Sequence, residues 1–317
     1  MAQAKARHYD CVIVGGGPAG LTAAIYLARF HLSAAVLDNG RSRALMIPVS
    51  HNHAGFPEGI AGAELIRRMG EQARLYGAAC FDATVTGVKS ASGGFLVSSD
   101  GGGFVARTVL LATGVWNHRP AMPDGLHDQA LRSGLLRYCP VCDGYEVTDR
   151  RIAVIGSGEK ALKEAEFLRS YTADVTLIAH GGKHDLDAPQ RARAGEWGIA
   201  LVDGPCSNFA IERKHIELDV PAGRLRFDSA YAALGSDVHS ELAAAAGAKT
   251  SAEGCILADR HQATSVEGLY AAGDVVLGLD QIGNAMGQAG VAATAIRNAL
   301  CLREPLRRSE ARPALKL

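Results

Sequence analysis

Tyr9-Asp10-Cys11-Val12-Ile13-Val14-Gly15-Gly16-Gly17-Pro18-Ala19-Gly20 is the stretch that decides the fold. A short, β-branched apolar run ends in a glycine turn, and Leu21 to Phe30 follows with helical composition. Ala34 to Asp38 then reads as a second buried strand. Strand, glycine turn, helix and strand within one βαβ unit is the context a dinucleotide fingerprint requires. Gly15 permits the tight turn, Gly17 lets the backbone approach a pyrophosphate, and Gly20 lets helix and strand pack closely. Pro18 and Ala19 lie in the same turn, and the helix start faces the phosphate charge. Asp38, at the end of the second strand, can accept hydrogen bonds from a ribose.

Outward from there, Gly40 to Gly62 is loop-rich and carries Ser50-His51-Asn52-His53. A helix is expected over Ala63 to Tyr76. Phe81 to Leu111 alternates, with glycine clusters, as an antiparallel meander does. It ends in a buried strand running into Ala112-Thr113-Gly114. The pattern then repeats. Arg151 to Ile155 leads into Gly156-Ser157-Gly158-Glu159-Lys160-Ala161, a helix through Arg169 and a strand over Asp174 to Ala179. A second meander spans Ser207 to Phe227, and a closing strand, Ala230 to Leu234, ends at Gly235. Two copies of one pattern predict an α/β chain of two Rossmann-like, three-layer ββα nucleotide-binding domains. Glu241 to Leu317 is too short for a third. It holds a strand ending at Gly273-Asp274 and a small-residue helix over Gly283 to Leu300. This segment is expected to complete the first domain, which puts the division at 1–117, 118–240 and 241–317, with the second domain inserted in the first.

Hydrophobic residues make up 48% of the 317 and charged ones 21%, enough apolar surface for large cores. Lys plus Arg equals Asp plus Glu at 33 each, which gives no electrostatic case for nucleic acid or an acidic membrane. No apolar run is long enough to cross a bilayer, and Met1 to Asp10 lacks a signal-peptide core, so a cytoplasmic location is expected. The basic end, with Arg303, Arg307, Arg308, Arg312 and Lys316, reads as a solvated tail.

Of seven cysteines, two stand together in Cys139-Pro140-Val141-Cys142-Asp143-Gly144. Such a pair is either metal-binding or redox-active. A structural zinc site would want a second pair, and Cys11, Cys80, Cys206, Cys255 and Cys301 supply none, so no metal is expected. Two cysteines at this spacing can close a disulfide and store two electrons, and the thiolate is the reactive form.

With these motifs in order, the chain resembles the low-molecular-weight thioredoxin reductases, two-domain flavoproteins, over nearly its whole length. The resemblance implies FAD on the first fingerprint, at Gly15, Gly17, Pro18, Ala19, Gly20 and Asp38. It adds Asn52, Thr113, Gly114, Gly273, Asp274 and Gln281 to the flavin site. It implies NADPH on the inserted domain, at Gly156, Gly158 and Ala161, and a homodimer. It makes Cys142 the flavin-facing cysteine, Cys139 the one that meets substrate, and Asp143 the acid/base that protonates the leaving thiolate. The partner would be a thioredoxin-like protein or a small-molecule disulfide or dithiol.

Three departures bear on direction. The arginine pair that grips NADPH in the family is absent from Ala179-His180-Gly181-Gly182-Lys183-His184, and Glu159 puts a carboxylate where phosphate would lie. Lys183 or His180 is left as a weaker phosphate contact. An Arg-Gln pair near the flavin reads Asp280-Gln281. His51 and His53 flank Asn52, either as loop hydrogen-bonders or as a base beside the flavin. These departures resemble the NADPH-independent dithiol oxidases, in which O₂ takes the electrons. Those enzymes share a Cys-Pro-x-Cys motif followed by Gly144-Tyr145-Glu146 as found here, but carry a histidine where this chain has Asp143. Ferredoxin-linked reductases and a flavin redox sensor without turnover are further readings. Asp143 and both fingerprints incline the expectation toward disulfide reduction with a nicotinamide donor.

Overall fold

The computed structural model describes residues 7–307. The expectation about the first six residues, and tail residues Arg308, Arg312 and Lys316, lie outside the described residues. The chain opens with β1 (Arg7–Val14), α1 (Pro18–Arg29), β2 (Ala34–Asp38), α2 (Gly62–Leu75), β3 (Ala79–Asp82), β4 (Val85–Ala91), β5 (Gly94–Ser99) and β6 (Gly102–Leu111). It continues with β7 (Val115–Asn117), α3 (Asp124–Arg132), β8 (Leu136–Arg137), α4 (Pro140–Asp143), β9 (Ile152–Ile155), α5 (Gly158–Leu168), β10 (Val175–Ile178), α6 (Ala188–Glu196) and β11 (Ala200–Val202). Then come β12 (Ser207–Glu212), β13 (His215–Val220), β14 (Gly223–Phe227), β15 (Ser229–Ala232) and β16 (Ser236–Val238). The last elements are α7 (Glu241–Ala245), β17 (Leu269–Ala271) and α8 (Ile282–Arg303). Two compact units result. Among the described residues, one holds those through Gly40, Arg68–Thr113 and those from Ser240. The other holds Arg41–Arg67 and Gly114–His239.

In the first unit the strand order is β3-β2-β1-β6-β5-β4, with β17 also on β6. β1, β2, β3 and β17 run parallel to their neighbours, while β4, β5 and the start of β6 form the antiparallel meander. Cys11 to Val14 is an unbroken buried run, as a strand covered on both faces must be. Phe81, expected in the meander, instead sits on β3 paired with Leu37 of β2. The run is too short for its period to distinguish the two. Along α8, Ala285, Ala289, Ala292 and Ala293 are buried. Side chains this small allow close helix packing, and the phenol of Tyr26 on α1 would lie 3.5 Å from a Cβ placed on Gly290. Arg303, read as part of a solvated tail, ends α8 and donates to Glu267 at 2.6 Å.

In the second unit β11-β10-β9-β15-β8 form an all-parallel sheet, and β12-β13-β14 a separate antiparallel one. The pleat of β9 sends alternate residues to opposite faces. Ile152 and Val154 pack with Leu162, Ala165 and Leu168 of α5 and Ala194 of α6. Ala153 and Ile155 pack with Phe209, Ile216, Leu218 and Phe227 of the meander. Helices, parallel sheet and meander are thus three layers around one sheet, each buried large side chain contributing about 1.5–3 kcal/mol. β7 and β16, where crossings were expected, pair as an antiparallel ribbon from Asn117↔Ser236 to Val115↔Val238. The fold is mixed α/β with two Rossmann-like nucleotide-binding units.

Candidate active site

The first glycine turn has backbone that side chains would block. Gly15 has φ +106°, in the region that favours glycine. A Cβ there would strike the carbonyl of Ala112, and one on Gly20 the carbonyl of Gly15. A Cβ on Gly16 would lie 2.6 Å from the carboxyl carbon of Asp38. The Gly16 N–H donates to Asp38 Oδ1 at 2.9 Å, and the Gly15 N–H to the Leu37 carbonyl at 2.8 Å. Gly17, extended, precedes α1, whose first turn has Pro18 at its start, no side-chain cap and no acid. Gly273 has φ +84°, and a Cβ there would lie 3.0 Å from the Cβ of Ala19. Its N–H donates to Gln288 Oε1 at 2.8 Å.

The structure therefore brings Gly15, Gly17, Pro18, Ala19, Gly20, Asp38 and Gly273 together around the start of α1. The Thr113 N–H lies beside them, 3.5 Å from a Cβ placed on Gly15. Asp274 follows Gly273, and Gln281 precedes α8 in extended conformation. An uncapped helix start free of acids, lined by backbone, fits a pyrophosphate, and Asp38 fits a ribose. Asn52 and Gly114 belong to the second unit. There Asn52 Nδ2 lies 3.4 Å from the Val141 carbonyl and its Oδ1 accepts from Ser50 Oγ at 3.0 Å. The Gly114 carbonyl accepts from the His239 N–H. His53 stacks on Phe56 at 5.4 Å, and the His51 ring lies against Gly59.

Cys139 and Cys142 are joined as a disulfide with their Cα atoms 5.3 Å apart. Cys139 caps α4, and the Cys142 N–H donates to the Cys139 sulfur at 3.1 Å. A donor on that sulfur favours its thiolate once the bond is reduced. Val141 and Tyr145 beside the pair are 46% and 81% exposed, so the turn presents an apolar rim to solvent. Asp143 is held at both oxygens. Arg137 Nη1 lies 2.8 Å from Oδ2, and the Tyr231 hydroxyl donates to Oδ1 at 2.9 Å. Burial pushes the Asp143 carboxyl above its ordinary range, against the opposing pull of Arg137 and Tyr231, while Glu146 adds to the rise.

Arg137 and Tyr231 are site residues the sequence reading missed. Arg137 on β8 also donates from Nε to the Gly134 carbonyl at 3.1 Å and Ser229 Oγ at 3.2 Å. Tyr231, fully buried on β15, was visible only as a tyrosine in a strand of small residues. A buried tyrosine hydroxyl needs a partner, but nothing local says which. One position before the disulfide, the Tyr138 hydroxyl lies 2.8 Å from His127 Nε2. Burial lowers the His127 pKa and pushes Tyr138 up to about 12.

The second glycine turn is not a conformational copy of the first. The left-handed residue is Gly158, φ +71°, rather than Gly156. Gly156 still packs tightly, a Cβ there lying 2.8 Å from that of Ala161. In the first turn of α5, Glu159 accepts from Arg193 Nη2 at 2.9 and 2.8 Å and from Gln190 Nε2 at 3.0 Å. Lys163 lies 3.5 Å from it. Arg193 is shared with Glu166 at 2.5 Å. Arg193 is therefore paired with two of this chain's own carboxylates. In the loop after β10, His184 is buried and its Nε2 lies 3.0 Å from the Leu177 carbonyl. These residues do not fit a nicotinamide dinucleotide as the first turn fits its own.

The profile of the pyridine nucleotide-disulphide oxidoreductase family matches residues 9–289. The chain is 31% identical to thioredoxin reductase of Mycolicibacterium smegmatis over 279 residues, 84% of this chain and 88% of that one. It is 28% identical to thioredoxin reductase of Bacillus subtilis over 302 residues, covering 92% and 94%. Among solved structures, thioredoxin reductase of Streptococcus pyogenes superposes with a TM-score of 0.85 at 26% identity, covering 93% of this chain and 99% of that one. HlmI superposes with a TM-score of 0.85 at 26% identity, covering 94% of each. By its matched profile, its glycine cradle and its closed Cys139–Cys142 pair, the chain belongs to the pyridine nucleotide-disulphide oxidoreductases as a thioredoxin-reductase-like, thiol–disulfide flavoenzyme with FAD as its cofactor.

Proposed function

We propose that the protein passes electrons between FAD and the Cys139–Cys142 disulfide, and between that pair and the thiols of a thioredoxin-like protein or a small-molecule disulfide. The observation that carries this reading is the closed disulfide, rimmed by exposed Val141 and Tyr145, with Asp143 held beside it. FAD, when bound, supplies a two-electron store. Gly15, Gly17, Gly20, Asp38, Thr113, Gly273, Asp274 and Gln281 would hold it. In the reducing direction the Cys139 thiolate attacks a substrate disulfide and releases the first thiol. Cys142 then attacks Cys139, closes the pair and frees the second thiol. In the reverse direction Cys142 leaves first and takes its proton from Asp143. We further propose the functional division at 1–117, 118–240 and 241–317, a homodimer and a cytoplasmic setting. Among the described residues no helix is long and apolar enough to cross a membrane.

A second reading is favoured by Glu159 and its partners Arg193 and Gln190. If no nicotinamide enters at α5, a substrate dithiol loses two electrons and two protons to become a disulfide. Dioxygen takes them as hydrogen peroxide. The test mixes the oxidised holoenzyme anaerobically with NADPH, NADH or dithiothreitol and follows the flavin's visible absorbance. Bleaching by a nicotinamide establishes the reductase. Bleaching by dithiothreitol alone, reversed by air with peroxide, establishes the oxidase. If none of them bleaches the flavin, both readings fail.

A further inference from the structure

We propose that Arg137 is a positioning residue that sets the proton affinity of Asp143, and so the pH range over which the dithiol exchanges. The inference rests on the reading of Asp143 as the proton donor to the dithiol. Asp143 directly follows Cys142, so its carboxyl is carried on the same short helix as the leaving sulfur. Both its oxygens are engaged by groups from other strands of the parallel sheet, Arg137 from β8 and Tyr231 from β15. Those strands pair directly, Tyr231 opposite Arg137, so the clamp is as rigid as the sheet. Arg137 is itself fixed, its Nε donating to the Gly134 carbonyl and Ser229 Oγ. Its side chain is only 16% exposed, so little water screens its charge.

Two effects oppose each other at this carboxyl. Burial alone raises the proton affinity of Asp143, because a desolvated carboxylate is unfavourable. A guanidinium at hydrogen-bonding distance favours the carboxylate. Glu146, three residues on and with one oxygen buried and unpartnered, pushes the other way. α5, which carries Lys160 and Glu164, packs against α4, and the Tyr171 ring lies against Gly144. Among the described residues, Arg137 is the one cation at hydrogen-bonding distance of Asp143. An acid serving a thiolate must keep its proton long enough to give it and still lose it when the thiolate is formed, so its affinity needs setting between those limits.

The step is the opening of the pair by a dithiol. A dithiothreitol thiolate bonds to the Cys139 sulfur, the Cys139–Cys142 bond breaks, and the Cys142 sulfur leaves with the bonding electrons and takes the Asp143 proton. The second dithiothreitol thiolate then displaces Cys139, whose sulfur takes up a proton. Dithiothreitol ends as the cyclic disulfide and the enzyme as the dithiol.

The experiment measures the rate of anaerobic flavin bleaching by dithiothreitol across pH, with FAD-loaded wild type, Arg137→Met, Arg137→Lys, Tyr231→Phe and Asp143→Asn. Dithiothreitol's own ionisation is common to all and cancels in ratios to wild type. Removing the cation raises the proton affinity of Asp143, so the alkaline limb that reports this acid moves to higher pH. For Arg137→Met the expected move is about one unit or more. Tyr231→Phe moves it the same way by less, and Arg137→Lys restores the wild-type limb in large part. An unmoved limb in Arg137→Met, with the limb abolished in Asp143→Asn, overturns the role of Arg137 and leaves Asp143 as the acid. Wild-type rate and pH profile in Asp143→Asn instead overturn the reading beneath it. Should Arg137→Met fail to fold, Tyr231→Phe decides: an unmoved limb there overturns the clamp.

Discussion

Glu164 on α5 has Oε2 buried with no hydrogen-bond partner, and burial pushes its pKa from the ordinary 4.5 up to about 7. The folded chain therefore holds this proton more tightly than the unfolded chain does. Stability from this group is full below pH 4.5, falls as pH rises toward about 7, and stays reduced above that. Glu164→Gln should match wild type in thermal unfolding below the lower value and melt higher than wild type above the upper one. An equal melting temperature across the range would mean the carboxyl is not desolvated when charged. At Gly20 the expectation is steric. Its Cβ would meet the Gly15 carbonyl, so Gly20→Ala should lose FAD on purification, seen as loss of the visible flavin spectrum. A yellow Gly20→Ala protein would remove the first turn from the cofactor site.

Elements differ in how far they announce themselves. The β1–α1–β2 unit was legible because each part is local: an apolar run, glycines where only glycine fits, and a following helix. The disulfide pair was legible for the same reason, as two cysteines in one turn. The clamp on Asp143 was not, because Arg137 and Tyr231 are distant in sequence and become neighbours only through pairing of β8 with β15. β8 has two residues and α4 four, too few for a period to show. At α5 the sequence showed the carboxylate of Glu159, but its lock by Arg193 and Gln190 depends on packing of α6. That lock carries a prediction. Isothermal titration of NADPH into oxidised holoenzyme should give no saturable binding, and saturable binding would show that Glu159 yields to phosphate.

Over the whole molecule, the two halves of the sequence share an architecture but present different chemistry at their glycine turns. The first offers open backbone to an anion, whereas the second begins its helix with a carboxylate, Glu159, bonded to Arg193 and Gln190. A ligand that binds only the folded state stabilises it in proportion to its affinity and concentration. FAD should therefore raise the melting temperature of flavin-stripped protein. NADPH added to holoenzyme should leave it unchanged, a contrast differential scanning calorimetry checks directly. Everything proposed for this molecule depends on redox chemistry at Cys139–Cys142. It is tested by mixing FAD-loaded Cys142→Ser anaerobically with dithiothreitol beside wild type. Wild-type flavin should bleach, while the variant keeps both its FAD and its colour. Bleaching of the variant at the wild-type rate would contradict redox chemistry at that pair.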